Sequence, residues 1–541
     1  MLVGVVGYAY LSYDIVVHAR TWVDEVTYTI KSWWYVTGTV SPYTDRDPTW
    51  YMPLYFYQLG LWQGLTGQGI EWNRGLSAAI GIVNGLLVFD IVRRMTGNAF
   101  AAALGVAIFL TVPSIAFYFS SATPIATVSM LLLLCIWLMV CALGLPRALT
   151  SILIGILCGT LYFYRQNMIL AISLLVPVYL LTLPRARWAH AGWIAAGLTL
   201  VAGSLLFLFP DRLLSYAIRL PVITPLLADL QLFDDPLFLV ETSSTGPLTL
   251  DIGLGHFAWQ DPFDAFLLPY AGLIACAASI FVMARGSLKV LWAAPLAFFF
   301  LAVTHYAGSV GYCSTCILPY TASFSGLGAI CAGLALALAW RAAKRQSLPA
   351  NTLVLLFAVV IVGLNFAASG LATRQEYKFY PSAMLINPRP LTWQTETKNL
   401  ASFLSENTDP ATPLLIVHNL ITVPYAAFLA DRSFPVQSIN MAHSYRFVKD
   451  SVRPGDRAMV LRNLEREGLW TDETLDRWLT KGYDTIVFQV DPRDRNSDLR
   501  GRIETMFEKT ATMGFRGWNI DVYRRVRTDT LANTAVGERS R

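Results

Sequence analysis

The sequence predicts a mainly α-helical membrane protein of about eleven transmembrane helices, with surface helices in its first outer loop and a soluble α/β domain at its C-terminal end. Three observations carry that expectation. The 541 residues are 55% hydrophobic and only 14% charged, with a mean hydropathy of +0.48, too apolar for a soluble chain of this length. The apolar residues gather in runs of roughly 16 to 24, the length of helix that crosses roughly 30 Å of hydrocarbon, and the runs stop at roughly residue 370. The Lys and Arg residues between runs are distributed on one side only.

The first run, roughly 2–18, has no basic segment before it and no small-residue cleavage site after it, so it reads as an uncleaved span. Further spans are expected at roughly 75–92, 99–119, 123–143, 150–164, 167–183, 190–209, 265–283, 289–304, 317–340 and 352–369. With the N-terminus cytoplasmic, the cytoplasmic loops carry Arg93, Arg94, Arg147, Arg185, Arg187, Arg285, Lys289, Arg341, Lys344 and Arg345 and no acid. That is the positive-inside pattern of an inner (plasma) membrane protein. Leu54–Leu65, rich in Tyr and Trp, fits a helix lying on the outer surface, because counting it as a span would put Arg93 and Arg94 outside. Asp14 and Asp90 fall within or beside spans, where acids serve mainly by pairing with neighbouring helices.

The chain therefore divides into a polytopic module, 1–371, and an extracytoplasmic or periplasmic α/β domain, 372–541. Outer loops are expected at roughly 19–74 and 210–264. In the C-terminal domain 414–417, 485–490 and 518–523 read as strands, and 397–406 and 451–467 as helices. The net charge of +5 is spread without a basic stripe, so nucleic acid is excluded as a partner. Of seven cysteines, Cys135, Cys141, Cys158, Cys276 and Cys331 lie in apolar runs and behave as small hydrophobes. Cys313 and Cys316 lie in an outer loop, where a structural disulfide, free thiols or a zinc site with His305 are the alternatives. The 210–264 loop, with Asp229, Asp234, Asp235, Glu241, Asp251 and His256, is too long for a mere connector and suits a lid or an acceptor-binding element.

The first outer loop concentrates the chemistry. Asp24 and Glu25 lie a few residues beyond the first span, followed by Asp45 and Asp47, with Trp22, Tyr28, Trp33, Trp34, Trp50 and Tyr51 interleaved. Carboxylates beside a bilayer carry a desolvation cost, so a cluster of them marks a functional site. Acids also suit a helix start, and Asp45 and Asp47 beside Pro48 suit a turn. The Asp24-Glu25 pair with Tyr28, then Gly38, Pro42-Tyr43, Tyr51-x-Pro53, an aromatic helix, Arg74 and a second span ending in Arg93-Arg94, resembles the C-type glycosyltransferase superfamily. Its protein O-mannosyltransferase and lipid A aminoarabinose transferase group is the most similar. The resemblance covers roughly the first 200 residues in detail and the remainder as topology.

That resemblance implies transfer of a sugar from a polyprenyl-phosphate donor to a glycan, lipid or protein acceptor at the outer face, among membrane lipids. It carries the active-site acid over to Asp24, with Glu25 beside it. Such a transfer needs a base for the acceptor proton and a cation for the departing phosphate. Asp24 and Glu25 are the base candidates; Arg74, Arg165 and Arg46 map to the outer side as phosphate ligands. Arg165 of the YFYRQN segment also matches a basic residue of the group. Tyr28, Asp45, Asp47 and Tyr51 are candidates for the sugar. A divalent metal, Mg or Mn, with Asp24 as a ligand, is an alternative source of positive charge. The group often has an acid where this chain reads Phe117–Pro124, FYFSSATP, and a Lys where it has Tyr51-Met52. No Gly-rich phosphate loop suggests a nucleotide donor. A transporter or flippase of lipid-linked sugars is the main alternative, and a scaffold whose outer domain binds a partner is another.

Overall fold

The computed structural model of the chain describes residues 1–19, 23–40, 53–141, 146–165, 168–183, 187–208, 317–345, single positions between 349 and 360, 392–418, 421–435, 438–439, 472–490, 497–515 and 517–526. The described chain is mostly helical with one small sheet, and it falls into two units. The first comprises Met1–Ala19 and Thr49–Arg389; the second comprises Arg20–Pro48 and Pro390–Arg541. The segment Arg20–Pro48 thus groups with the C-terminal residues.

In the first unit the helices are α1 (Leu2–His18), α3 (Pro53–Thr66), α4 (Ile70–Thr96), α5 (Ala99–Thr111), α6 (Pro113–Phe119), α7 (Ile125–Cys141), α8 (Arg147–Tyr164), α9 (Ile169–Thr182), α10 (Arg187–Leu208) and α11 (Ile317–Arg345). Four of the described helices are long and apolar enough to cross a membrane: Ile70–Thr96, Arg147–Tyr164, Arg187–Leu208 and Ala322–Arg341. The segment expected as one span at 99–119 is two helices. Val112 is extended, as a residue before proline prefers, and Pro113 opens α6 at the position where a helix tolerates a missing N–H. On α1, Tyr8, Leu11, Ser12 and Ile15 are buried at helical spacing, while Leu2, Val6, Tyr10 and Tyr13 face outward as an apolar stripe.

Glycines let helices approach closely where no side-chain layer separates them. A Cβ on Gly155 of α8 would meet the Ile194 carbonyl of α10, and one on Gly197 of α10 would meet the Ile152 carbonyl of α8. This is the small-residue packing used between apolar helices. The two ends of the bundle differ chemically. At the C-terminal end of α4, Asp90 accepts hydrogen bonds from Arg93 (2.7 Å), Arg94 (2.5 Å) and Trp137 of α7 (2.8 Å). Arg341 of α11 donates to the Thr96 carbonyl there. The other end gathers hydroxyls, amides and two arginines.

In the second unit α2 (Val23–Thr37) packs with α13 (Thr422–Leu429), and α12 (Thr392–Asn407) packs on α13 and the sheet. Strands β1 (Leu414–Val417), β2 (Thr485–Val490), β3 (Phe507–Phe515) and β4 (Trp518–Arg525) form one sheet in the order β1-β2-β4-β3. β1 pairs parallel to β2, and the remaining pairs are antiparallel. The hairpin between β3 and β4 turns at Gly517, whose φ of 81° is in the left-handed region open to glycine. Helices α14 (Asp472–Arg477), extended by a π-turn at Trp478–Gly482, and α15 (Ser497–Glu504) cover one face. There Leu415, Val417, Ile486, Phe488 and Tyr523 meet Leu475, Leu479, Leu499 and Ile503. β1, β2 and β4 match the expected strands, whereas β3 has no counterpart among them; it is an edge strand buried only at Phe507 and Phe515.

Candidate active site

In the first unit, Arg74 lies in the first turns of α4 with 1% of its surface exposed. Its Nη1 donates to the Ala19 carbonyl at 2.9 Å and the Ile15 carbonyl at 3.3 Å. Both carbonyls lie at the C-terminal end of α1, where Ile15 O also accepts the Ala19 N–H at 3.2 Å. A guanidinium suits them through both hydrogen bonding and the negative end of the helix dipole. Arg74, expected as a phosphate ligand, is thus engaged with the end of α1, five residues before Asp24 in the chain.

Arg165 sits at the C-cap of α8 in extended conformation and is half-buried. Its Nη1 donates to Ser323 Oγ of α11 at 3.0 Å, and Ser323 is wholly buried. The preceding residue, Tyr164, donates its phenol proton to Gln58 Oε1 of α3 at 2.9 Å. Gln58 Nε2 in turn donates to Thr127 Oγ1 of α7 at 3.1 Å. The Tyr55 and Tyr164 rings lie 6.4 Å apart at 60°. The FYFSSATP segment adds the buried hydroxyls of Ser120, Ser121 and Thr123, and Ser120 Oγ donates to Ser12 Oγ of α1 at 2.8 Å. Hydroxyls therefore occupy the stretch where the related group often has an acid.

In the second unit, Asp24 and Glu25 occupy the first turn of α2, where the helix dipole favours negative charge. Asp24 is exposed and Glu25 is buried to 1%. Asp24, Tyr28, Lys31 and Tyr35 follow one another at spacings of four, three and four, so they share one side of the helix. Lys31 is entirely buried, which the sequence pattern alone did not disclose. A buried ammonium is retained only beside hydrogen-bonding or charged neighbours. Trp34, on the last turns, packs edge-on against Phe434 at 5.2 Å.

Asp45, Arg46, Asp47 and Tyr51 lie outside the described residues, as do Cys313, Cys316 and the 210–264 loop. Among the described residues no three His, Cys, Asp or Glu side chains converge as a metal-holding group. The side chains that sequence reasoning missed are Gln58, Thr127, Tyr164, Ser323 and Lys31. Their one signal was a polar side chain set among aromatic or apolar neighbours in a helix.

No protein-family model matches the sequence, and no curated protein matches it. Similarity appears among solved structures. The crystal structure of ArnT from Cupriavidus metallidurans bound to undecaprenyl phosphate superposes with a TM-score of 0.59 at 14% identity, covering 97% of this chain and 98% of that one. The apo state of the same protein gives a TM-score of 0.56 over the same shares and at the same identity. Over 97% of its length the chain shares the fold of ArnT.

Proposed function

We propose that the protein is a multi-pass inner-membrane glycosyltransferase that moves a sugar from a polyprenyl-phosphate donor to a glycan, lipid or protein acceptor on the outer face. The observation that carries the reading is the correspondence of fold, over nearly the whole of both chains, with a structure holding undecaprenyl phosphate. The half-buried Arg165 beside hydroxyl and amide groups supplies chemistry consistent with it.

The reaction is an inverting single displacement. The Asp24 carboxylate takes the proton of the acceptor hydroxyl or amine, with Glu25 beside it, as that atom bonds to the anomeric carbon. The bond between the anomeric carbon and the phosphate oxygen breaks, and polyprenyl phosphate departs with the bonding pair. The phosphate passes from a singly charged diester towards a doubly charged monoester. A fixed guanidinium therefore binds the transition state more strongly than the ground state, which is what accelerates the step. Of the arginines, Arg165 takes this role, because Arg74 is engaged by the end of α1. Tyr28 lies one turn from Asp24 and would face the same ligand.

Replacing Asp24 by Asn keeps the shape and removes the base. The expected result is a fall in sugar transfer of about a hundredfold or more with expression and polyprenyl-phosphate binding retained. Unchanged transfer would remove Asp24 from the mechanism, and net movement of intact donor across the bilayer would favour the flippase.

A further inference from the structure

The chain from Thr127 through Gln58 to Tyr164 joins three helices, α7, α3 and α8, through side chains alone. It fixes the Gln58 amide in one orientation, with oxygen towards the phenol and nitrogen towards the threonine hydroxyl. A primary amide offers two N–H donors and two acceptor lone pairs, and a phenol oxygen can accept as well as donate. The chain uses one donor and one acceptor of the amide. Gln58 and Tyr164 are both half-buried, whereas Thr127 is buried to 3%. An amide and a phenol left partly exposed to lipid tails would be costly, so these two face water or a ligand. Uncharged donors and acceptors beside paired tyrosine rings are the chemistry that recognises sugar hydroxyls. Arg165, the next residue along α8, carries the charge that a phosphate needs.

We infer that Gln58 and Tyr164 form the sugar-recognising part of the donor site, bonding ring hydroxyls of the sugar next to the phosphate held at Arg165. Thr127 is the positioning residue that keeps the amide from turning over. The inference rests on the glycosyltransferase reading and assigns the part of it that tells one sugar from another. The test measures binding of two probes by the full-length protein in detergent: bare undecaprenyl phosphate, and undecaprenyl phosphate carrying glucose, mannose or arabinose. For the wild-type protein at least one sugar-bearing lipid should bind more tightly than the bare lipid. Gln58→Leu should weaken that binding about tenfold and leave the bare lipid unaffected. Tyr164→Phe, which removes a single oxygen and keeps the ring, carries the same expectation if the leucine variant folds poorly. Thr127→Val should narrow the difference between sugars at constant affinity for the bare lipid. If both probes bind the variants as they bind the wild type, the chain only stitches helices together and the inference is wrong. If neither lipid binds the wild-type protein, the donor reading itself fails and the subsite falls with it.

Discussion

Arg74 shows how one buried side chain secures the end of a helix. Its guanidinium is almost fully buried and its two carbonyl partners close the last turn of α1. Hydrogen bonds from a charged donor contribute about 1.5–3 kcal/mol each at most. Arg74→Met should therefore lower the midpoint of thermal unfolding measurably, and Arg74→Lys should recover part of the loss, since an ammonium reaches a carbonyl but lacks the fork. Differential scanning of the solubilised chain checks both. Tyr523, on β4, sits between Glu504 (3.2 Å) and Asp521 (3.3 Å). Burial first, and then the two carboxylates, push its phenol well above the usual range. Glu504 moves the other way, because the Arg500 hydrogen bond at 2.9 Å holds its carboxyl below its ordinary value. A depressed carboxyl contributes stability above its unfolded value that disappears as pH falls through the folded one. The protection factors of the β4 amides in the full chain, corrected for the intrinsic exchange rate at each pH, should thus fall as the pH drops through and below the ordinary glutamate range, and Glu504→Gln should flatten that dependence. Both partners are more than a third exposed, so solvent screening keeps the effect within about 1 kcal/mol.

Helices and strands were legible to the degree that their signals are local. The apolar runs fixed where α1, α4, α7, α8 and α10 lie, because run length and burial are one property in an apolar helix. The split between α5 and α6 was written in Val112-Pro113 but outweighed by the hydrophobicity around it. β3 escaped because seven of its nine residues are only partly buried or exposed, which leaves no alternation to read. The Asp24 helix was visible as an acidic pair followed by aromatic residues; its grouping with the C-terminal residues was not, since Trp34 meets Phe434 across most of the chain's length. At this scale the contact between α8 and α10 gives a sharp expectation. Gly155→Leu must push a side chain into the Ile194 carbonyl, so the helices separate and the protein should lose roughly 1–3 kcal/mol. Gly192→Leu, on the same helix pair but in open space, should be close to neutral. Unfolding of the two variants in parallel separates close packing from added bulk.

At the scale of the whole molecule, the chain shares its fold with ArnT at 14% identity, so the likeness lies in the arrangement of the chain rather than in the individual side chains. The polar end of the bundle illustrates why sequence stops short of the site. Gln58 meets Thr127 across 69 positions and Tyr164 across 106, so neither pairing leaves a pattern in any window of sequence. Arg165 was picked out by resemblance, but its anchor on Ser323 is 158 positions away. What sequence does carry is the class of chemistry, since acids beside aromatics just past a first span limit the reactions available. The central claim is that the sugar–phosphate bond of a polyprenyl-phosphate sugar is broken by this protein. The direct measurement is mass spectrometry of lipid extracted from proteoliposomes that hold the full chain, an undecaprenyl-phosphate sugar and a membrane-fraction acceptor. The account predicts bare undecaprenyl phosphate appearing in step with glycosylated acceptor, and neither with the Asp24→Asn variant. Intact donor redistributed between leaflets, with no bare lipid phosphate formed, would contradict it.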